Sequence, residues 1–230
     1  MKESKNQLYS ADLIKATINT IIDPLQSRSL PRINASMKQL QEESENLVNN
    51  QFDKSEIKID CKVNCTFCCH NQVSITPIEI LLIVEYIKNN FSPEETIQLK
   101  DRINQLDKLT GNMNAFQRKK AKKPCALLVD NKCSVYPVRP LACKGWNSLN
   151  VQDCETAFNS DTESDIKTLI APIVITNSVS LGISNSLKQV SLNSDVLELN
   201  AALKIALSKY NIGEKFLDSK NTFKDAKLKV

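Results

Sequence analysis

Four cysteines, Cys61, Cys65, Cys68 and Cys69, fall within nine residues, and His70, the only histidine of the chain, follows directly. Cys125, Cys133, Cys143 and Cys154 complete the set of eight. The Cys65-x-x-Cys68 spacing lets two thiolates approach one metal from a tight turn, and Cys61 adds a third donor. Cys68 and Cys69 are adjacent, and in extended backbone neighbouring side chains point to opposite sides. They therefore face two different sites, or grip a larger object such as an iron–sulfur cluster, or one of them is a buried or redox thiol. In the second set seven, nine and ten residues separate successive cysteines. Such gaps are not those of a zinc finger and suit thiols that the fold gathers from separate loops.

A single cysteine is adequately described as a small buried hydrophobe; eight in this arrangement point to metal. Zinc prefers four tetrahedral nitrogen or sulfur ligands, with sulfur at about 2.3 Å. Eight thiols can hold two such ions, or one iron–sulfur cluster on four thiolates with four left over, and ligand softness does not choose between them. His70 is a further candidate donor, or it lies behind the ligands or on the surface. Arg139 and Lys144 flank Cys143, where positive charge stabilises thiolates and offsets the charge of a thiolate-ligated metal. With Asn147 they are the candidate residues for holding a cofactor or an anionic substrate. Trp146 is expected to pack over the site and limit solvent access.

The elements that must position these groups are mostly helical. A chain of 230 residues suits one domain, and at this length folding buries roughly 70% of the unfolded surface, so metal is not needed merely to make a core. Only four glycines occur, which disfavours glycine-rich nucleotide loops, and neither GxGxxG nor GxxxxGK[ST] is present. The polar start predicts no signal peptide, and the apolar runs at 80–84 and 169–175 fall short of the roughly 20 residues of a membrane helix. The expectation is a soluble protein in a reducing cytoplasm, where clustered cysteines bind metal or do redox work. The net charge of +4 is too mild to argue for nucleic acid.

Residues 1–60 read as two helices dispensable to the site. Ser10 caps the first, which carries Leu13, Ile14, Ile18 and Ile21 and ends at Asp23-Pro24. The second begins near Pro31 with Ile33, Met37, Leu40 and Leu47 on one face. The pair is a hairpin covering the core or a partner-binding arm, and deleting residues 1–50 is expected to leave metal content intact. Thr76, Pro77 and Glu79 form a capping box for a helix reaching about residue 90, with Ile80, Leu81, Val84 and Ile87 inward. Ser92, Pro93 and Glu95 repeat the device for a helix striped by Leu99, Ile103 and Leu106 and closed near Gly111. Residues 112–124 hold Arg118, Lys119, Lys120, Lys122 and Lys123, an anion or nucleic-acid patch or simply a solvated helix end. Residues 125–136 form a β-hairpin about Asp130, Asn131 and Lys132. Pro137 and Pro140 then stop regular structure, and 144–161 are expected to be irregular. Beyond lie a helix at 165–170 broken near Pro172, and a segment through Val179, Ile183, Leu187 and Val190 that is helical or, at 179–183, a strand. A last helix, capped by 193–195, carries Val196, Leu199, Leu203 and Leu207. Phe216, Leu217 and Phe223 are expected to dock.

The eight cysteines, Tyr136-x2-Arg139-Pro140, the run from Cys143 to Ser148 and Leu197 to Leu203 together resemble the CxxCxxCC family of zinc- or iron-chelating, YkgJ-like cysteine-cluster proteins, over residues 57–225. One departure is the three-residue gap after Cys61, where the family name has two. The resemblance implies metal chelation. A related branch, the flagellin lysine methylase, implies cluster-dependent methyl transfer from S-adenosylmethionine, for which this chain has no glycine-rich donor loop. The expected fold is mainly α: a single helical domain with a small cysteine-bearing β-hairpin and irregular metal-binding loops. It divides into an N-terminal helical segment (1–56), a cysteine-cluster domain (57–225) and a frayed tail (226–230). The expected function is cytoplasmic metal binding, as zinc or an iron–sulfur cluster, in a structural or redox role. The alternatives are an iron–sulfur-dependent protein lysine methyltransferase and a metal-handling or interaction protein with a partner on the N-terminal helices. No membrane or nucleic-acid partner is expected.

Overall fold

A computed structural model of the chain describes residues 9–56, 58–62, 64–160, 165–218 and 222–228. The mainly α expectation holds: the described residues form ten α-helices and two short two-stranded ribbons. Helix α1 (Ala11–Gln26) starts where predicted, with Ser10 Oγ accepting the Leu13 N–H. It runs past Asp23-Pro24, because a proline in the last turn forfeits only one helical bond. Helix α2 (Leu30–Lys54) buries Ile33, Met37 and Leu40 as expected, but its next apolar inward residue is Val48, and Leu47 is 36% exposed. The helical period carries position 48, not 47, back to the buried face.

These two helices are not an accessory. Ile21, Leu25, Ile33, Met37 and Leu40 belong to the main apolar core, and α2 carries the carboxylate that meets Arg139 and Lys144. The expectation that residues 1–60 are dispensable to the site is corrected by this packing; the hairpin reading is the one the fold realises.

Strand β1 (Ser74–Ile75) leads into α3 (Pro77–Asn90), whose capping box forms as predicted, and α4 (Pro93–Thr110) repeats it with Ser92 and Glu95. Ile80, Leu81, Val84 and Ile87 of α3 and Leu99, Ile103 and Leu106 of α4 are all buried. Helix α5 (Ala115–Ala121) follows. The predicted hairpin is present as β2 (Leu128–Val129) and β3 (Lys132–Cys133), with Leu128 opposite Cys133. Its two turn residues, Asp130 and Asn131, have φ of 49° and 60°, the left-handed pair that a tight two-residue hairpin requires and that Asp and Asn tolerate.

Two short helices, α6 (Leu141–Gly145) and α7 (Val151–Asn159), replace much of the irregular structure expected at 144–161. Asn150 starts α7 by accepting the Gln152 N–H at 3.0 Å. Helix α8 (Ile170–Gln189) is continuous, so the predicted break at Pro172 does not occur. Pro172 lies in the first turn, where an N–H would have no helical acceptor. Residues 165–169 are not helical, and the strand reading of 179–183 gives way to helix. By length and composition α8 is apolar enough to cross a membrane, but half of it is buried within the protein, packed on α1, α2 and α6. A Cβ at Gly182 would stand 2.6 Å from Thr17 Cβ, so the glycine permits the close crossing of α1 and α8.

Strand β4 (Leu197–Glu198) pairs with β1, and α9 (Leu199–Ser208) begins three residues later than 193–195 would set it, capped by Glu198, which accepts the Ala201 N–H at 2.7 Å. Helix α10 (Ile212–Asp218) and Phe223 close the core, with Phe216 and Phe223 fully buried. Ala226 is buried and the Leu228 N–H bonds to Val196 O at 2.9 Å, while residues 229–230 of the expected frayed tail lie outside the described residues.

Candidate metal centre

Five segments bring the cysteines to one end of the fold. Cys61 and Cys65 lie in the loop before a 3-10 turn, Phe67–His70, that carries Cys68 and Cys69. Cys125 and Cys133 stand at the base of the hairpin, Cys143 on α6 and Cys154 on α7. The loop and the hairpin are joined through main chain, with Cys125 N–H donating to Cys69 O at 2.8 Å. Asp60 N–H donates to Ser148 O at 3.0 Å, and Ser148 N–H donates to Cys61 Sγ at 3.2 Å.

The thiols fall into two neighbourhoods. Cys61 is pushed up to about 11 by burial of its sulfur, with Cys65, Cys68 and Cys154 adding to the shift. Cys65 likewise feels Cys68 and Cys154. The second neighbourhood is Cys69, Cys125, Cys133 and Cys143. Burial raises Cys143 well above the ordinary thiol value, and Cys125, Cys68 and Cys133 raise it further. Cys125 is pushed up to about 11, again first by burial. Cys68 adjoins both groups: it shares a hydrogen bond with Cys69 that lowers the Cys68 pKa and raises that of Cys69. The adjacent pair lies in a 3-10 turn rather than extended backbone, so the two side chains are not forced to opposite sides, and Cys68 reaches both groups while Cys69 faces Cys125 and Cys143.

The donor set fits zinc or an iron–sulfur cluster. Sulfur is the donor both prefer, and backbone amides favour several of the thiolates, as they do a metal-bound sulfur. Ser148 N–H donates to Cys61 Sγ at 3.2 Å, and the amides of Phe67, Leu127 and Val135 act to lower the pKa of Cys65, Cys125 and Cys133. Among the described residues no three His, Cys, Asp or Glu side chains are drawn into a coordination shell, so the convergence is of neighbourhoods rather than of a closed site. His70 is not drawn in. Its Nδ1 lies 3.1 Å from Thr66 O and its ring packs edge-on against Phe158 at 4.8 Å.

Arg139, Lys144 and Asn147 all have partners within the chain. Glu45 on α2 bridges the first two, at 3.2 Å to Arg139 and 2.6 Å to Lys144. The Lys144 side chain is 1% exposed. Burial lowers its pKa and Glu45 opposes that, whereas for Glu45 burial is outweighed by Lys144 and Arg139 and the carboxylate is stabilised. Arg139 also stacks on Tyr136 at 3.9 Å and bears on Cys133 and Cys143. Asn147 is fully buried, bonded to Gly145 O, Leu169 O and Leu169 N–H. These three residues do not line the crevice at Phe67, Cys68 and Cys154 or the one between α4 and α9.

Sequence reasoning missed several supports. Arg118, read as part of a solvated or anion-binding basic run, is 4% exposed and donates to His70 O at 2.8 Å. Glu79 was legible as a cap for α3, but its buried carboxylate also accepts the Leu141 N–H at 2.9 Å, fixing the start of the helix that carries Cys143. Burial raises the Glu79 pKa against the bonds from Leu141 and Thr76. Glu79→Gln replaces an all-acceptor group by one that accepts with a single atom, and is expected to cost about 1–3 kcal/mol. A thermal melt checks this, and an unchanged midpoint would remove Glu79 from the supports of α6. Gly145 lets α6 reach α8, since a Cβ there would run into Thr176 Oγ1 and stand 3.0 Å from Pro172 O.

The raised thiols also predict a pH response of the metal-free protein. Cys125 is held at about 11 against an ordinary value of 9.0. Between those values the folded chain binds more protons than the unfolded one, so the contribution to stability is complete below pH 9 and lost as pH climbs toward 11. Metal-loaded protein needs thiolates and loses stability in the other direction, as pH falls. Thermal melts of both forms across the pH range should therefore slope oppositely; parallel curves would sink the assignment.

Residues 60–160 match the family model CxxCxxCC, described as "Putative zinc- or iron-chelating domain", which bears out the resemblance over that segment. No curated protein and no solved structure matches the chain.

Proposed function

We propose that this zinc- or iron-chelating segment holds its metal through the eight thiols, as zinc or as an iron–sulfur cluster, in a structural or redox role in a reducing cytoplasm. The observation that carries the reading is the gathering of all eight cysteines, from five separate segments, at one end of a fold whose apolar core is already complete without them. All eight are free thiols, as a reducing compartment requires. Bound there, zinc would staple the hairpin, α6 and α7 to the loop before β1, and an iron–sulfur cluster would add a one-electron couple. The protein's own contribution is to supply N–H donors to the sulfurs and to place Arg118 and Arg139 where they offset thiolate charge.

Anaerobic purification followed by absorption spectroscopy and elemental analysis on one sample tests this. Brown protein with iron and acid-labile sulfide indicates a cluster and a redox role; colourless protein with stoichiometric zinc indicates a structural or exchanging site. Protein free of both metals after reconstitution overturns the reading.

A further inference from the structure

The two thiol neighbourhoods differ in how the fold holds them. The main apolar core takes side chains from both flanks of the second set, namely Ala126, Leu127, Val135 and Leu141, and Cys125 and Cys133 pack against it. Among the described residues it takes none from 58–72 and none from 144–160, the segments that carry Cys61, Cys65, Cys68 and Cys154; Cys69 lies in the first of these segments too, but its carbonyl accepts the Cys125 N–H at 2.8 Å, which ties it to the hairpin. Cys125, Cys133 and Cys143 are further fixed by the Cys125–Cys69 main-chain bond, the Ser134 N–H to Leu127 O bond at 2.8 Å and the Glu79 bond to α6.

The first set is tied more lightly. Besides the Asp60–Ser148–Cys61 bonds, Val151 N–H donates to Asp60 Oδ2 at 2.9 Å, Arg118 donates to His70 O at 2.8 Å, and α7 rests on the 3-10 turn through Phe158 against Phe67 and His70, none of which draws an apolar side chain of the set into the main core. Cys61 and Cys68 are exposed, Cys65 is half-buried, and Cys154, on α7, is buried. A crevice of about 30 Å³, lined by Phe67, Cys68, His70, Trp146, Cys154 and Phe158, opens on this set and on none of Cys125, Cys133 or Cys143. Such a volume admits one or two water molecules.

Resting on the metal reading above, we infer that the chain has two metal sites of unequal lability. Cys69, Cys125, Cys133 and Cys143 form a site locked into the core. Cys61, Cys65, Cys68 and Cys154, the first set, form the other site, for a soft divalent ion, reached from solvent and exchanging that ion with small thiols or chelators. Release from the first set needs only local opening of a loop and α7. Release from the second requires the core around the hairpin and α6 to open, which approaches the cost of global unfolding.

The test is zinc(II) reconstitution of the full-length metal-free chain under argon, with zinc counted by elemental analysis and its release followed with a chromophoric chelator. Two zinc per chain are expected, one leaving at least about tenfold faster, which corresponds to about 1.4 kcal/mol in the opening barrier. Cys61→Ser and Cys154→Ser are each expected to bind one zinc, to lack the fast phase, and to keep the slow rate. Cys61 is exposed, so its substitution leaves folding intact, which circular dichroism verifies. A single zinc in the unmodified chain, two released at one rate, or loss of the slow zinc in Cys61→Ser overturns the inference while the metal reading stands. A chain that takes up neither zinc nor iron overturns both.

Discussion

Replacing Cys143 by serine should remove the metal of the core-locked thiol set and lower the melting temperature by about 8–16 °C. A structural zinc contributes roughly 10 kcal/mol or more to folding, so losing one of four thiolates at a cost of about 4 kcal/mol is a conservative share. For a chain of this size each kcal/mol moves the midpoint by about 2–4 °C. Cys143 is the informative position because α6 is held from three sides: by Glu79 at its first residue, by Glu45 through Lys144, and by α8 at Gly145. The side chain cannot relocate to let another donor substitute. Metal analysis and a thermal melt on the same preparation decide the matter, and full metal content with an unchanged midpoint would exclude Cys143 as a ligand.

Removing residues 1–54 should leave no soluble folded protein. The five core side chains Ile21, Leu25, Ile33, Met37 and Leu40 would be lost, each worth about 1.5–3 kcal/mol when buried, for a total of about 8–15 kcal/mol. That equals the entire stability of about 5–15 kcal/mol usual for a protein. The deletion would also uncover the apolar face of α8 and strip the buried Lys144 of Glu45. A narrower variant separates these effects. Glu45→Gln keeps the core and removes only the carboxylate, leaving Lys144 buried without its counter-charge. It should destabilise by about 2–4 kcal/mol, towards the low end of what breaking a buried pair costs because Glu45 is itself one-third exposed. A soluble truncated protein with full metal content would return the N-terminal helices to the status of an appended arm.

The elements read most accurately from sequence are those whose signals are local. The capping boxes at Thr76 and Ser92 and the Asp130-Asn131 turn depend on neighbours within a few residues. Pro172 and Pro24 signal helix stops, yet Pro172 sits in the first turn of α8, where its N–H would have no acceptor, and Pro24 in the last turn of α1, where one helical bond is forfeited. Residues 197–198 became a strand because Ser74 and Ile75 stand across from them, a partner more than a hundred residues away. Arg118 looked like one of five surface cations until the hairpin and His70 closed over it.

The sequence alone determined the chemistry: eight soft donors, no glycine-rich loop, and a spacing that calls for metal. Thiol type and number are properties of single residues and survive any change of register. Only the tertiary structure decided which thiols are neighbours, that Cys68 adjoins both groups, and that Glu45 and Glu79 hold the helix bearing Cys143. Those facts depend on long-range packing of α2, α3, α6 and α8, where burial and crossing geometry rather than local propensity set each position. The same packing decided that the N-terminal helices are part of the core, because an amphipathic stripe records that a helix has an apolar partner but not which one.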